Sequence, residues 1–203
     1  MSLKIKIIGI SGASGSGKTT VSKKIRASLN PENILIISQD SYYKDLNHLS
    51  INQRDQINFD HPDALDLKLL ETHIKSLRMG NAIDQPIYHF SNHSRQSETN
   101  KILPKKIIII EGTLVLSKYF LRLLYDMSVY VDLNQEKCLE RRINRDHQER
   151  GRSKKSVMDQ YENTVKPMFE KFILPGKSLA DIIIRGIDNE KDISKIIEYI
   201  QKI

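Results

Sequence analysis

The sequence has no tryptophan and one cysteine, Cys138. A lone cysteine cannot close an internal disulfide, which excludes a secreted disulfide scaffold, and it cannot supply the two or more thiolates of a zinc finger. Long apolar runs are missing as well. The longest aliphatic stretches, Ile107 to Ile110 and the equally long Ile34 to Ile37, fall far short of the roughly 20 residues a spanning helix needs. Lys4 and Lys6 interrupt the apolar start and no A-x-A site follows, so no export signal is expected. Glycines and prolines do not cluster into a linker or a low-complexity segment. Aromatic residues are 6% of the chain and are not interleaved with basic ones, and no helix-turn-helix or RNP-like pattern occurs. These absences point to a cytoplasmic protein that engages neither a membrane nor nucleic acid.

What is present suits one globular domain. The chain has 203 residues, 39% hydrophobic and 28% charged, long enough to bury a core without a metal or disulfide staple. The formal net charge is +7. Solvated lysines account for part of it, but one segment, "RRINRDHQERGRSKK" from Arg141 to Lys155, is dense enough in arginine to call for an anion. Apolar patterning predicts strands at 4–10, 33–37, 105–110, 127–132 and 180–184. It predicts helices at 19–29, 64–77, 117–124, 135–150, 156–172 and 190–203, with Asp63 near the start of the second and Pro167 bending or ending the fifth. Short extended pieces at 83–90 and 99–103 suit a hairpin. Strands alternating with helices imply an α/β fold: a mainly parallel sheet flanked by helices.

The first strand runs into "GASGSGKT", Gly12 to Thr19, and then a helix. This satisfies G-x-x-x-x-G-K-[ST] in its required setting. Glycines let the backbone amides wrap phosphates, and the helix N-terminus faces the same anion. Lys18 supplies a point charge to the outer phosphates and Thr19 a hydroxyl to Mg²⁺. No N-K-x-D box for guanine follows. Glu111, ending four isoleucines and followed by Gly112, would face the metal across the loop. Asp40, just past the second strand, could take a proton from an acceptor hydroxyl or could cap a helix. Asp60 precedes His61-Pro62 in an extended loop and suits the vicinal hydroxyls of a sugar, or plain turn chemistry. The helix from Gln135 places Arg141, Arg145 and Arg152 within reach of one face, with Arg142 and Arg150 beside it, as a lid over a transferring phosphoryl group.

The phosphate loop is followed by "SQDSYY", "NFDHPDALD", "PIYHFSNHSR", "IIIIEG", "RRINRDHQERGR" and "QYENTVKPMFEKFILPGKSLAD". In order and spacing, from Ser11 to Asp181, these resemble the uridine–cytidine kinase family. The resemblance implies a single P-loop NTPase-type kinase domain over 1–203, with a small β-hairpin insertion at about 83–103 and an arginine-rich lid at about 141–155. It implies ATP as phosphoryl donor, Mg²⁺ as cofactor and a pyrimidine nucleoside as acceptor. Gly12, Ala13, Ser14, Gly15, Ser16, Gly17, Lys18, Thr19, Thr20 and Arg150 would then contact ATP, and Thr19 and Glu111 the metal. Asp40, Lys18 and Arg145 would be catalytic. Asp60 and Arg142 would hold the ribose hydroxyls; Tyr88, Phe90 and His93 the base; and Arg152 and Gln160 further polar groups of the nucleoside. A homotetramer inhibited by CTP is also implied. The chain departs from the family pattern at His89, where Asp is usual, and at Thr113 and Asn134. Kinases of pantothenate, ribulose 5-phosphate or nicotinamide riboside share a similar core, and a nucleotide-sensing protein without turnover would share the loop.

Overall fold

The computed structural model describes residues 4–54, 56–90 and 92–202. Its strands are β1 (Lys6–Gly12), β2 (Ile34–Ser38), β3 (Ile83–His89), β4 (Ser94–Ile102), β5 (Ile107–Glu111), β6 (Met127–Asp132) and β7 (Ile182–Arg185). Five of them form a parallel sheet in the order β2-β5-β1-β6-β7, and β3 and β4 pair as a separate antiparallel hairpin. The principal helices are α1 (Lys18–Ser28), α2 (Leu67–Arg78), α3 (Gln135–Arg150), α4 (Lys154–Gln160) and α5 (Glu190–Lys202).

The sheet is buried on both faces, which is why its strands are isoleucine runs rather than alternating ones. Ile7, Ile108 and Ile110 face one core with Leu70, Ile74 and Leu77 of α2. Ile8, Ile10 and Ile109 face the other, with Val21 and Ile25 of α1 and Ile193 and Ile196 of α5. Burying each such side chain stabilises the fold by about 1.5–3 kcal/mol. The parallel register sets Ser38 beside Glu111, and Glu111 beside Ile10, so the ends of β2, β5 and β1 open on one crevice.

Three expected elements differ. The second helix starts at Leu67 and is capped by Asp66, whose carboxylate accepts the Leu69 amide at 3.1 Å. Asp63 instead sits in a short 3₁₀ turn, Pro62–Ala64. The reason is a bridge between Tyr43 and Leu65, flanked by Lys44 N–H to Ala64 and Asp66 N–H to Tyr42, that holds Leu65 extended between the turn and the helix. The helix expected at 117–124 shrinks to Tyr119–Arg122, because Lys118 is extended and offers no side-chain cap. Pro167 does not end its helix, which runs on to Ile173. Beyond α4 the chain widens into π-helical turns at Tyr161–Val165 and Phe169–Ile173. The Lys166 amide donates to Tyr161, five residues back. That wider turn removes the clash a proline ring makes with the carbonyl four residues back.

Candidate active site

The phosphate loop bridges β1 and α1. Gly15 has φ +83°, and a Cβ there would overlap the Cys138 carbonyl. Ala13 turns back to accept the Ser16 amide at 3.1 Å, and Ser14, Gly15 and Ser16 complete the turn before Gly17 and α1. Lys18 is buried and donates from Nζ to the Ala13 carbonyl at 2.8 Å. Burial holds its pKa below the ordinary lysine value, against the carboxylates of Glu111 and Asp40. A cation disfavoured in this way is ready for an anion. Thr19 Oγ1 donates to Glu111 Oε1 at 3.3 Å. Burial raises the Glu111 pKa, partly offset by Lys18. Thr20 is exposed on the first turn of α1, next to the loop.

Asp40 lies in a 3₁₀ turn, Gln39–Tyr42, at the end of β2. That turn is capped by Ser38, not by Asp40. Its neighbour Gln39 is fully buried and accepts the Leu114 amide at 2.9 Å. A Cβ at Gly112 would overlap the Gln39 side chain, so the glycine after Glu111 lets β2 and β5 end side by side. Ser11 Oγ donates to the Thr113 carbonyl at 2.9 Å.

Asp60 is held from two sides. Thr164 Oγ1 donates to its Oδ2 at 3.1 Å, and Arg142 Nη1 stands 3.8 Å from Oδ1. Burial raises the Asp60 pKa, with Arg142 and the Thr164 bond opposing. The turn chemistry of this segment falls to Asn58, which accepts the Asp60 amide, so the Asp60 carboxylate is not consumed by its own loop.

The hairpin closes an aromatic box over this side. Tyr43 packs against Tyr88 at 5.0 Å between ring centroids, Phe59 at 5.7 Å and Phe90 at 6.4 Å. His93, in the left-handed region at φ +51°, stacks on Phe59 at 4.3 Å. The Tyr88 hydroxyl is buried with no hydrogen-bond partner among the described residues. Arg95 fastens the hairpin by donating to the Tyr42 and Tyr43 carbonyls. His89 points the other way: it is exposed and hydrogen bonds with Gln96. The sequence reading missed Tyr43 and Phe59 as box members. Their position, beside the two carboxylates it singled out, was the available signal.

On α3, Arg142 is the buried arginine. Its Nη2 donates to Gln160 Oε1 at 2.9 Å, and Arg152 Nη1 donates to the same atom at 2.5 Å. Arg145 donates to Asp146 and weakens the charge on Lys18 from nearby. Arg141 reaches the carbonyls of Gly15 and Gly186 at 3.4 Å. Arg150 ends α3, and its side chain lies outside the described part of the structure. Asp146, also missed, is the internal counter-charge that the arginine run demanded. A groove of about 710 Å³ lined by Ile5, Asn33, Arg78, Met79 and Lys106 lies at the start of β1, β2 and β5, far from these groups.

The crevice therefore joins an anion cradle, an oxygen pair of hydroxyl and carboxylate, and an aromatic box beside a buried carboxylate. No helix among the described residues is long and apolar enough to cross a membrane. The family described as "Phosphoribulokinase / Uridine kinase family" matches residues 7–193. A protein named uridine kinase from Escherichia fergusonii is 49% identical over 188 residues, covering 90% of this chain and 88% of that protein. One of the same name from Salmonella paratyphi B is 48% identical with the same coverage. The solved structure of phosphoribulokinase from Rhodobacter spheroides shares the fold, with a TM-score of 0.66 at 15% identity over 91% of this chain and 71% of that one.

Proposed function

The chain belongs to the phosphoribulokinase/uridine kinase family, and on that footing we propose that it transfers the terminal phosphoryl group of ATP to the 5′-hydroxyl of uridine or cytidine. The observation that carries this reading is the aromatic box closed beside Asp60, across the crevice from the phosphate loop. A flat base suits the box, and a carboxylate fixed by Thr164 and Arg142 suits two ribose hydroxyls.

The loop amides and Lys18 bind the donor phosphates, with Lys18 exchanging the Ala13 carbonyl for phosphate oxygen. Asp40 accepts the hydrogen bond of the 5′-hydroxyl, aligns it, and takes its proton as the phosphoryl group arrives. Arg145 meets charge on the transferring group, while Arg142, Arg152 and Gln160 hold the nucleoside side. Thr19 and Glu111 are hard oxygen donors within reach of one another, as Mg²⁺ requires. No cluster of three His, Cys, Asp or Glu side chains occurs among the described residues, which fits an ion held largely by waters and substrate phosphates. Bound there, Mg²⁺ would neutralise phosphate charge.

An ADP-release assay with ATP and a panel of uridine, cytidine, pantothenate, ribulose 5-phosphate and nicotinamide riboside tests the proposal. Turnover is expected with uridine and cytidine. Turnover with another acceptor and neither of these, or with none, would sink it. The family resemblance extends the proposal to a cytoplasmic homotetramer, which light scattering tests through its mass.

A further inference from the structure

Asp146 is fully buried in the last turns of α3 and is surrounded by arginine. Arg145 donates to its Oδ1 twice, from Nε at 3.0 Å and Nη2 at 2.8 Å. Neighbouring residues on a helix do not face each other. Arg145 is therefore folded back across the helix to make this two-pronged contact instead of extending outward. Arg142 Nε stands 3.7 Å from Oδ2 and Arg152 Nη1 stands 3.6 Å from it. Arg152 gets there because Gly151, at φ +64°, reverses the chain, and the Arg152 amide bonds the Asp146 carbonyl at 3.1 Å.

One carboxylate thus grips arginines belonging to both halves of the crevice. Arg142 is the partner of Asp60 on the nucleoside side. Arg145 lies one turn along α3 from Arg141, whose Nη1 reaches the Gly15 carbonyl of the phosphate loop at 3.4 Å, and its guanidinium disfavours the charge on Lys18. Buried ion pairs are poor sources of stability, since well-packed apolar residues often replace them at no loss. What such a carboxylate supplies is geometry. We propose that Asp146 is a positioning residue that ties Arg142 and Arg145 into one unit, so that filling either substrate site raises affinity at the other. The inference rests on the reading of the crevice as joined ATP and nucleoside sites.

The test is calorimetric titration of uridine with and without a non-hydrolysable ATP analogue, beside steady-state turnover. In the wild-type protein the analogue should tighten uridine binding at least about fivefold. In Asp146→Asn that factor should fall below about twofold and kcat at least about tenfold, while uridine binding alone stays within about threefold of wild type. A purely structural residue would lower the yield of folded protein and leave the coupling factor of the folded fraction intact. Asp146→Glu covers the case in which the single variant does not fold. It keeps a carboxylate among Arg142, Arg145 and Arg152 but displaces it by one methylene, and it alters no residue assigned to either substrate site. It should fold and bind uridine, with a coupling factor less than about half that of the wild type. Full coupling in either variant, or none in the wild type, would overturn the proposal with the functional reading standing. A wild-type protein that does not phosphorylate uridine would bring down both.

Discussion

The amide of Asp40 donates to Ser38 Oγ at 3.3 Å, so the cap at the end of β2 belongs to the serine and not to the aspartate. This separates two roles that the residue types alone leave open. Asp40→Asn keeps shape and one acceptor oxygen but cannot take a proton. It should lower kcat by about 10²–10⁴ with little change in uridine binding or stability. Ser38→Ala should instead cost about 1 kcal/mol of stability. Steady-state kinetics with thermal unfolding of both variants checks this. Near-normal kcat in Asp40→Asn would remove the catalytic assignment.

Lys18→Ala should lose about 3–4 kcal/mol in kcat/KM, as for removal of one oriented donor from a charged transition state. The fold should survive, because burial already works against the charged amine. A folded variant that keeps a tenth of wild-type turnover would contradict the phosphate role.

Burial raises the Asp60 pKa above 3.8, and the contact proposed for it with the ribose hydroxyls needs its ionised form. Uridine kcat/KM should therefore fall on the acid side at a higher pH than an exposed aspartate would give. Stability has the opposite sign. The folded state holds the Asp60 proton more tightly than the unfolded one, so this group makes folding less favourable as pH rises from 3.8 through its raised value. Asp60→Asn should lose uridine affinity and show a flatter dependence of unfolding temperature on pH across that window. An identical slope in both proteins would refute the assignment.

His89→Asp should leave the uridine-to-cytidine ratio of kcat/KM within about tenfold, or 1.4 kcal/mol, of wild type. The side chain is exposed on the face of β3 opposite Tyr88, where it meets Gln96. A larger shift, measured by competition between the two nucleosides, would place residue 89 in the base pocket.

The parts of the fold legible in the sequence were those set by local chemistry. Isoleucine runs mark strands buried on both faces, and β6 and α3 lie where patterning put them. The phosphate loop declares itself because glycines, lysine, threonine and a following helix are contiguous. The sheet register then sets Ser38, two residues before Asp40, beside Glu111. The misplaced helix start had a tertiary cause. Asp63 and Asp66 are equivalent caps by type, and only the Tyr43–Leu65 bridge selects Asp66.

What the sequence by itself determined, then, is the order of elements and the chemistry each strand end carries, because both depend on neighbours in the chain. Tertiary structure alone decided which of those groups share a site. Thr164 reaches Asp60 across 104 positions, from within the π-helical turn Tyr161–Val165. Tyr43 and Phe59 become walls of a box only once the hairpin folds over them. Asp146 reads as one more charge on a polar helix until chain reversal at Gly151 surrounds it with arginine. Burial is the physical reason: it turns an ordinary carboxylate into a fixed counter-charge, and no local pattern encodes it.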